Sequence, residues 1–599
     1  MNANTDPRYN LLKVNLTSGV ISVEEIDPEI TRKYIGGTGV GVKLFVDSHP
    51  KGVDPIGPEN STIISTGPLT GSRAPTSGRF SLVTRSPLTG TIFDSNSGGI
   101  WGVKLKRCGF DGVWITGKSR DPVYLKVSED AAELRGAEGL WGKDVSETSQ
   151  VIREAEGGKV SVLAIGPAGE NLVKFGSIMN DEHRALGRGG VGAVWGSKNL
   201  KAVVVETGTK QSKVARPYSF QRYIMSAFRK AVQGPITGQA LRLFGTSVLV
   251  NIINEFGLFP VRNNQSGCDV RVDGISGESI KENIFVKPEA CFNCPIACGR
   301  VTKTGRRSGK GPEYESVWAL GAQCGIFDLE SVTEANYDCN LLGLDTISTG
   351  ATISCAMELS QRGLLEERIE FGDAEALQPL IQKIASREGI GMGLAEGSVR
   401  FARKQGAEEY AMAVKGLELP AYDPRGAMGQ ALAYATSNRG GCHLRGYMVG
   451  WEVLGSPKML PRFNLSGKTD ILVKIQNLSR VTDSLVTCKF LEYSVGYDHL
   501  ARILSAATGI DYTISSLQTI GERIWNLERL YNIREGIDGA QDTLPARFLE
   551  EPLKEGASSG RVVDLEKLLG DYYQTRGWDE AGVPTSRKLG DLGLEDLGG

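Results

Sequence analysis

Ala202-Val-Val-Val205 and Pro217-Tyr-Ser-Phe-Gln-Arg-Tyr-Ile-Met-Ser-Ala-Phe-Arg-Lys-Ala-Val232 mark the place where the chain changes its hydrophobic period. The first segment is a β-branched run of strand type. The second repeats apolar residues every three or four positions, as an amphipathic helix does. Upstream, short β-branched runs recur: Leu11–Asn15, Val20–Val23, Thr62–Ser65, Phe80–Thr84, Gly112–Thr116, Val123–Val127 and Val160–Ile165. Thr-Ser-Gly between the first two is a hairpin signal, and glycine and proline punctuate the rest. Downstream the helical period returns in 247–256, 329–342, 352–362, 377–387, 468–488, 499–508 and 517–534, with a proline-bearing stretch at 419–426. From about Glu550 the chain is polar and loosely patterned. The expectation is an α+β protein: a β-rich domain over 1–208, a helical domain over 209–418 and a second helical domain over 419–599.

Composition narrows the class. Of 599 residues, 40% are apolar and 23% charged, with a net charge of −2, which gives no electrostatic reason to bind nucleic acid. No apolar run approaches the ~18–20 residues of a membrane span. Met1-Asn-Ala-Asn-Thr-Asp-Pro-Arg8 has no apolar signal core, so a cytoplasmic location is expected. Glycine is in excess, 76 residues gathered in short knots, as suits a backbone passing close to something bulky. Ten cysteines are too dilute for a disulfide scaffold.

Three of those cysteines crowd together in Cys291-Phe-Asn-Cys294-Pro-Ile-Ala-Cys298, spaced C-x2-C-x3-C. Thiolates this close can wrap one face of a [4Fe–4S] cubane, which is ordinarily held by four cysteines. The fourth can come from Cys108, Cys268, Cys324, Cys339, Cys355, Cys442 or Cys488. A zinc site would pair C-x2-C with a second close pair of Cys or His. None is nearby, and the chain has four histidines: His49, His183, His443 and His499. The bland alternative, three buried structural thiols, sits poorly with this crowding.

Around this cluster motif lie Gly67-Pro-Leu-Thr-Gly71, Ser86-Pro-Leu-Thr-Gly90, Asn96-Ser-Gly-Gly99, Ile165-Gly-Pro-Ala-Gly-Glu170, Met179-Asn-Asp181, Arg184-Ala-Leu-Gly-Arg-Gly-Gly190, Gly311-Pro-Glu-Tyr-Glu315 and Asn438-Arg-Gly-Gly-Cys-His443. In this order they resemble the tungsten-containing aldehyde ferredoxin oxidoreductase family over essentially the whole chain. The resemblance implies a tungsten between the dithiolenes of two pterins (tungstopterin), with magnesium bridging their phosphates and a [4Fe–4S] cluster close by. The family's pterin motif, D-x-x-G-L-[C/D], is matched by Asn340-Leu-Leu-Gly-Leu-Asp345 and by Asp483-Ser-Leu-Val-Thr-Cys488. Both copies depart from it: Asn340 replaces an acid, and Val486-Thr487 replace Gly-Leu. By the resemblance, Arg79, Asn96, Gly98, Arg184, Ala185, Gly187, Arg188, Asn340, Gly343, Leu344, Asp345 and Asp483 bind the cofactor. Cys291, Cys294, Cys298 and Cys488 hold the cluster. Backbone N–H groups and arginines suit flat rings with anionic phosphates.

The resemblance places Glu315 and His443 beside the metal, with Glu315 as general base toward water or the hydrated aldehyde and His443 orienting the carbonyl oxygen. The rival readings of the residues alone are a helix-capping carboxylate for Glu315 and a core histidine for His443. Cys442 and Cys324 lie near site motifs, but no protein cysteine need bind tungsten. The implied activity is oxidation of aldehydes to carboxylic acids, with electrons passing to a ferredoxin or an iron–sulfur subunit. Two alternatives remain: a tungsten reductase acting on aromatic rings or carboxylic acids, and a non-catalytic iron–sulfur relay. Some family members dimerise through an iron held by a Glu and a His of each subunit. Here Glu334 matches, but Tyr337 and Gln378 stand at the histidine places, so no iron-bridged homodimer is expected.

Overall fold

In the computed structural model, which describes residues 8–597, the N-terminal third is two six-stranded sheets packed face to face. The N-terminal residues read above for a signal lie, up to Pro7, outside that range. The first sheet runs, in spatial order, Ile21–Glu25, Asn10–Asn15, Gly112–Thr116, Thr62–Ser65, Phe80–Arg85 and Ile92–Ser97. The second runs Arg184–Leu186, Ile178–Asn180, Ser161–Ile165, Leu200–Val205, Val123–Ser128 and Ala131–Gly136. Each has one parallel pair, Leu11 opposite Gly112 and Ala202 opposite Tyr124, and is otherwise antiparallel. The expected hairpin forms, with Leu12 opposite Val23.

Leu82, Ile64, Val113, Leu163, Val203 and Leu125 fill the space between the sheets. Two buried tryptophans bolt them together: Trp101 Nε1 donates to Val203 O at 3.2 Å, and Trp195 Nε1 donates to Thr62 Oγ1 at 3.2 Å. A buried indole needs such a partner, and each finds it on an element of the opposite sheet. At one edge Asn180 Nδ2 donates to Ser97 Oγ at 3.2 Å and to Gly98 O at 2.7 Å. The edge strand that carries Asn96 therefore meets Ile178–Asn180, the neighbour of the other sheet's edge strand, which begins at Arg184.

After Val205 the chain is mostly helical, as expected. The expected helices form as Leu329–Leu342, Thr346–Gln361, Ala374–Ser386, Lys468–Leu485, Tyr497–Thr508 and Ile514–Arg534. Two features differ from the sequence reading. The polar tail is ordered into helices Leu565–Arg576 and Ser586–Leu592, and Tyr572, Arg576 and Trp578 are buried. Arg576 hides its charge by donating to Gln476 Oε1 at 2.6 Å and Asn477 Oδ1 at 2.7 Å, so polarity did not mean exposure. The other is Pro235–Glu255, which is long and apolar enough for a span. It is four short segments broken at Gly245 (φ +66°), with Val250 and Ile253 in the core. The helix expected over 247–256 is accordingly a 3-10 turn followed by Leu249–Glu255.

Candidate active site

Cys291, Cys294 and Cys298 occupy the loop between strands Phe285–Glu289 and Gly299–Lys303. Asn293 and Ala297 take left-handed backbone (φ +50° and +51°), which folds the loop tightly back. The loop docks on the N-terminal domain: Thr76 N–H donates to Asn293 O at 2.9 Å, Phe292 N–H to Gly99 O at 3.1 Å, and Asn293 Nδ2 to Ala74 O at 2.8 Å. Gly98 has no room for a side chain, since a Cβ there would lie 2.6 Å from Cys291 Sγ.

Cys488 reaches the same loop from the end of helix Lys468–Leu485, its N–H donating to Thr76 Oγ1 at 3.1 Å. Burial pushes its thiol up to about 11; Cys294 and Cys291 push the same way, and Arg79 opposes them. The Cys298 thiol is raised by burial and by Glu313, Cys488 and Cys291. The other candidates go elsewhere. Cys324, Cys339, Cys355 and Cys442 sit in the helical core, and Cys108 lies between the sheets. Among the described residues no three Cys, His, Asp or Glu side chains converge on a single-ion site.

The two motif copies share one local geometry. Each ends a helix with a left-handed residue: Gly343 (φ +73°) closes Leu329–Leu342, and Val486 (φ +51°) closes Lys468–Leu485. A β-branched residue is unusual in that conformation. Val486 is buried there against Gly67, whose added Cβ would lie 2.5 Å from both Val486 Cγ2 and Leu485 O. Asp345 begins the next helix, accepting from Ile347 N–H at 3.0 Å.

Arg188 joins the first copy to the His443 loop. Its guanidinium donates to Asp345 Oδ2 at 3.0 Å, to Gly441 O at 3.1 Å and to Glu418 O at 2.9 Å. Arg184, Ala185, Gly187, Asn340, Leu344 and Asp345 line one cavity of about 190 Å³. Asp483 of the second copy is held by Lys489 at 3.2 Å, Arg480 at 3.3 Å and Arg445 at 3.4 Å. Burial would raise its pKa, but these cations outweigh that and hold it below the usual carboxylate range. Arg445 and Arg480 also clamp Asp94, two residues before Asn96 of the sheet-edge motif. Arg480 also pairs with Glu528 at 2.5 Å. Nothing in the spacing of Asp94, Arg445, Arg480 and Glu528 along the chain announces this network, which four separate segments assemble.

Glu315 stands in the first turn of helix Tyr314–Leu320, and His443 in the loop after helix Met428–Thr436. His443 Nε2 lies 3.5 Å from Glu315 Oε1. Glu315 Oε2 accepts from Ala421 N–H at 2.9 Å, while Oε1 and His443 Nδ1 are buried with no hydrogen-bond partner. Burial pushes Glu315 up to about 8, against the Ala421 N–H and Arg188. His443 is held well below the usual imidazole range by burial and by Arg188, Arg439 and Arg445, so it is neutral at pH 7. Tyr422 and Tyr447 wall the pair, with ring centroids 5.7 and 6.1 Å from that of His443 and hydroxyls 3.0 Å apart. Arg439 Nε donates to Cys442 Sγ at 3.1 Å.

The residues matched to a bridging-iron site are committed within the chain. Arg307 Nε donates to Glu334 Oε2 at 2.7 Å, Tyr337 OH pairs with Thr302 Oγ1 at 2.7 Å, and Gln378 Nε2 donates to Asp338 Oδ2 at 2.6 Å.

The α+β frame thus carries a carboxyl–imidazole pair, a cavity lined by Arg184 and Asp345, and a three-cysteine loop near Cys488. Family models for aldehyde ferredoxin oxidoreductase match nearly all of the chain, the N-terminal domain over residues 11–207 and domains 2 and 3 over residues 223–594. The chain is 49% identical to the tungsten-containing aldehyde ferredoxin oxidoreductase of Pyrococcus furiosus, over 98% of both chains. It is 31% identical to the WOR-like subunit of an aliphatic sulfonate oxidoreductase of the same organism, over 98% of this chain and 97% of that one. A solved structure, the active-site complex BamBC of benzoyl-coenzyme A reductase with 1,5-dienoyl-CoA, superposes with a TM-score of 0.87. It is 27% identical, covering 99% of this chain and 98% of that one. The chain belongs to the aldehyde ferredoxin oxidoreductase family, oxidoreductases that act on aldehydes.

Proposed function

We propose that this chain oxidises aldehydes to carboxylic acids at a tungsten–bis-pterin centre and passes the electrons through a [4Fe–4S] cluster to a ferredoxin. The observation that carries this reading is the Glu315–His443 pair, 3.5 Å apart, with an unpartnered atom on each. Several features fit the cofactors. Asn96 Oδ1 and Asn180 Oδ1 are buried without partners where the sheets meet, and Arg184 lines the adjoining cavity. Such groups suit pterin ring edges and phosphates, with magnesium as a counter-ion. Four gathered thiols suit a cubane held by Cys291, Cys294, Cys298 and Cys488.

When bound, the tungsten–pterin centre supplies the two-electron sink. The chain supplies the rest. Glu315, poised near pH 8, takes a proton from water or from the hydrated aldehyde through Oε1. His443, neutral, donates from one ring nitrogen to the substrate oxygen as charge builds on it. The tyrosine wall excludes water around the pair and strengthens both interactions. Arg188 and Asp345 hold the first pterin motif against the His443 loop.

Metal analysis joined to aldehyde-dependent reduction of a viologen dye tests this reading. About one tungsten and about four iron atoms per chain, with turnover, are expected. Iron alone would favour the relay. The likeness to a benzoyl-coenzyme A reductase complex keeps the ring-reductase reading alive, and turnover of an aromatic thioester without aldehyde oxidation would establish it. The Arg307–Glu334 contact supports the absence of a bridging iron. An extra half-equivalent of iron per chain would contradict it. The strand-to-helix change after Val205 supports a first domain over 1–208, and limited proteolysis tests it and the further boundary at 418–419. A cytoplasmic location accords with this chemistry, and cell fractionation tests it.

A further inference from the structure

We infer that Asn532 is a positioning residue for aldehyde oxidation: its buried side-chain amide sets where His443 stands. This rests on the function proposed above. His443 lies in the loop that follows helix Met428–Thr436, and Asn438 of that loop is gripped twice. Asn532 Nδ2 donates to Asn438 O at 2.7 Å, while Asn438 Nδ2 donates to Glu528 Oε2 and to Trp525 O, both at 3.0 Å. Glu528 and Asn532 stand one turn apart on helix Ile514–Arg534, so one face of the helix holds the loop. The same Asn532 amide reaches the N-terminal domain, where Ile92 N–H donates to its Oδ1 at 3.0 Å. Ile92 begins the strand that carries Asn96. Both halves of the amide are therefore committed, a donor to a carbonyl and an acceptor to an N–H. A carboxylate of the same shape offers no donor, so Asp at this place would set an oxygen against the Asn438 carbonyl.

The rest of the loop has little slack. Gly440 (φ +98°) and Gly441 press on the strand pair Ala413–Val414 and Leu417–Glu418: an added Cβ would lie 2.6 Å from Val414 O at the first and 2.5 Å from Leu417 O at the second. Gly441 N–H donates to Val414 O at 3.1 Å, and Arg188 holds Gly441 O at 3.1 Å. On the near side of His443, Arg439 Nη1 donates to Asp94 O at 2.5 Å. On the far side, Arg445 returns to the Asp94 carboxylate. His443 thus hangs between two sets of ties to the strand Ile92–Ser97, and Asn532 makes the first of them. A shift at Asn438 is passed along this framed loop to the imidazole, which stands 3.5 Å from Glu315. Misplacing a reacting group by about 1 Å costs about a hundredfold in rate.

The test uses holoenzyme carrying Asn532→Asp, assayed with an aldehyde and a viologen dye. Arg576→Met, a buried change in the C-terminal tail, serves as the control for lost stability alone. In Asn532→Asp, kcat should fall by about tenfold to a hundredfold, with KM for the aldehyde within about twofold of the parent and iron and tungsten contents unchanged. Its crystal structure should show His443 displaced from Glu315. Arg576→Met should lower Tm and leave kcat alone. Where Asn532→Asp does not fold, Asn532→Ala, which removes the bond without the repulsion, should give the lower end of the same range. Parental kcat in the metal-replete variant, or a His443 ring that has not moved, overturns the assignment. An equal fall in kcat in Arg576→Met also overturns it, since stability alone would then account for the loss. No aldehyde-dependent dye reduction by the unaltered enzyme overturns instead the function on which the assignment rests.

Discussion

The N–H of Cys488 donates to Thr76 Oγ1 at 3.1 Å, while the N–H of Thr76 itself donates to Asn293 in the three-cysteine loop. One residue of the β-rich domain thus gathers thiols that lie almost two hundred positions apart. Cys488→Ala should purify with much less iron and without the visible absorption of a cluster. Cys268→Ala, at a thiol away from this loop, should keep both. Full iron content in Cys488→Ala would remove it from the ligand set.

Gly98→Ala should also lower iron content, because its methyl would sit 2.6 Å from Cys291 Sγ. The control is Gly139→Ala, where a Cβ meets nothing within 4 Å. Equal iron in both variants would mean that the loop can retreat from the added methyl.

Glu315, with its carboxyl raised to about 8, makes turnover depend on pH. Its basic form grows tenfold per unit below that value, so kcat/KM should climb with pH and level off above about 8. Glu315→Gln should keep metal and cluster yet lose on the order of 10²–10⁴ in kcat. A raised carboxyl also favours the folded state at low pH and forfeits that advantage as pH rises through about 8. The Tm of Glu315→Gln relative to the parent should therefore increase from pH 5 to pH 8. A flat difference would show that this carboxyl ionises normally.

Arg188→Met would leave Asp345 buried and unpaired. Losing one partner of such a pair costs about 3–5 kcal/mol. A fall in Tm together with loss of bound pterin is expected, and a variant with parental Tm and pterin content would relegate the pair to a minor contact.

In the C-terminal tail, Arg576→Met should cost about 2–3 kcal/mol, since charge-assisted bonds to Gln476 and Asn477 are lost within the core. Chemical denaturation would show it as a lower midpoint. No change would mean that the tail docks through Tyr572 and Trp578 alone.

The strand-to-helix change after Val205, the hairpin at its start and the family are legible in the sequence, because period and motif are local properties of neighbouring residues. The tail was not, since Arg576 and Tyr573 look solvated until distant amides and Asp542 are seen to satisfy them. By itself the sequence determined the chemical inventory: three clustered thiols, the glycine–arginine knots, and Glu315 and His443 in recognisable motifs. Only the tertiary structure decided how these act together. It set Glu315 3.5 Å from His443, raised one by burial and kept the other neutral, and brought Cys488 to Thr76. Burial and the close approach of remote segments create those properties, and neither is written in the spacing of residues along a chain.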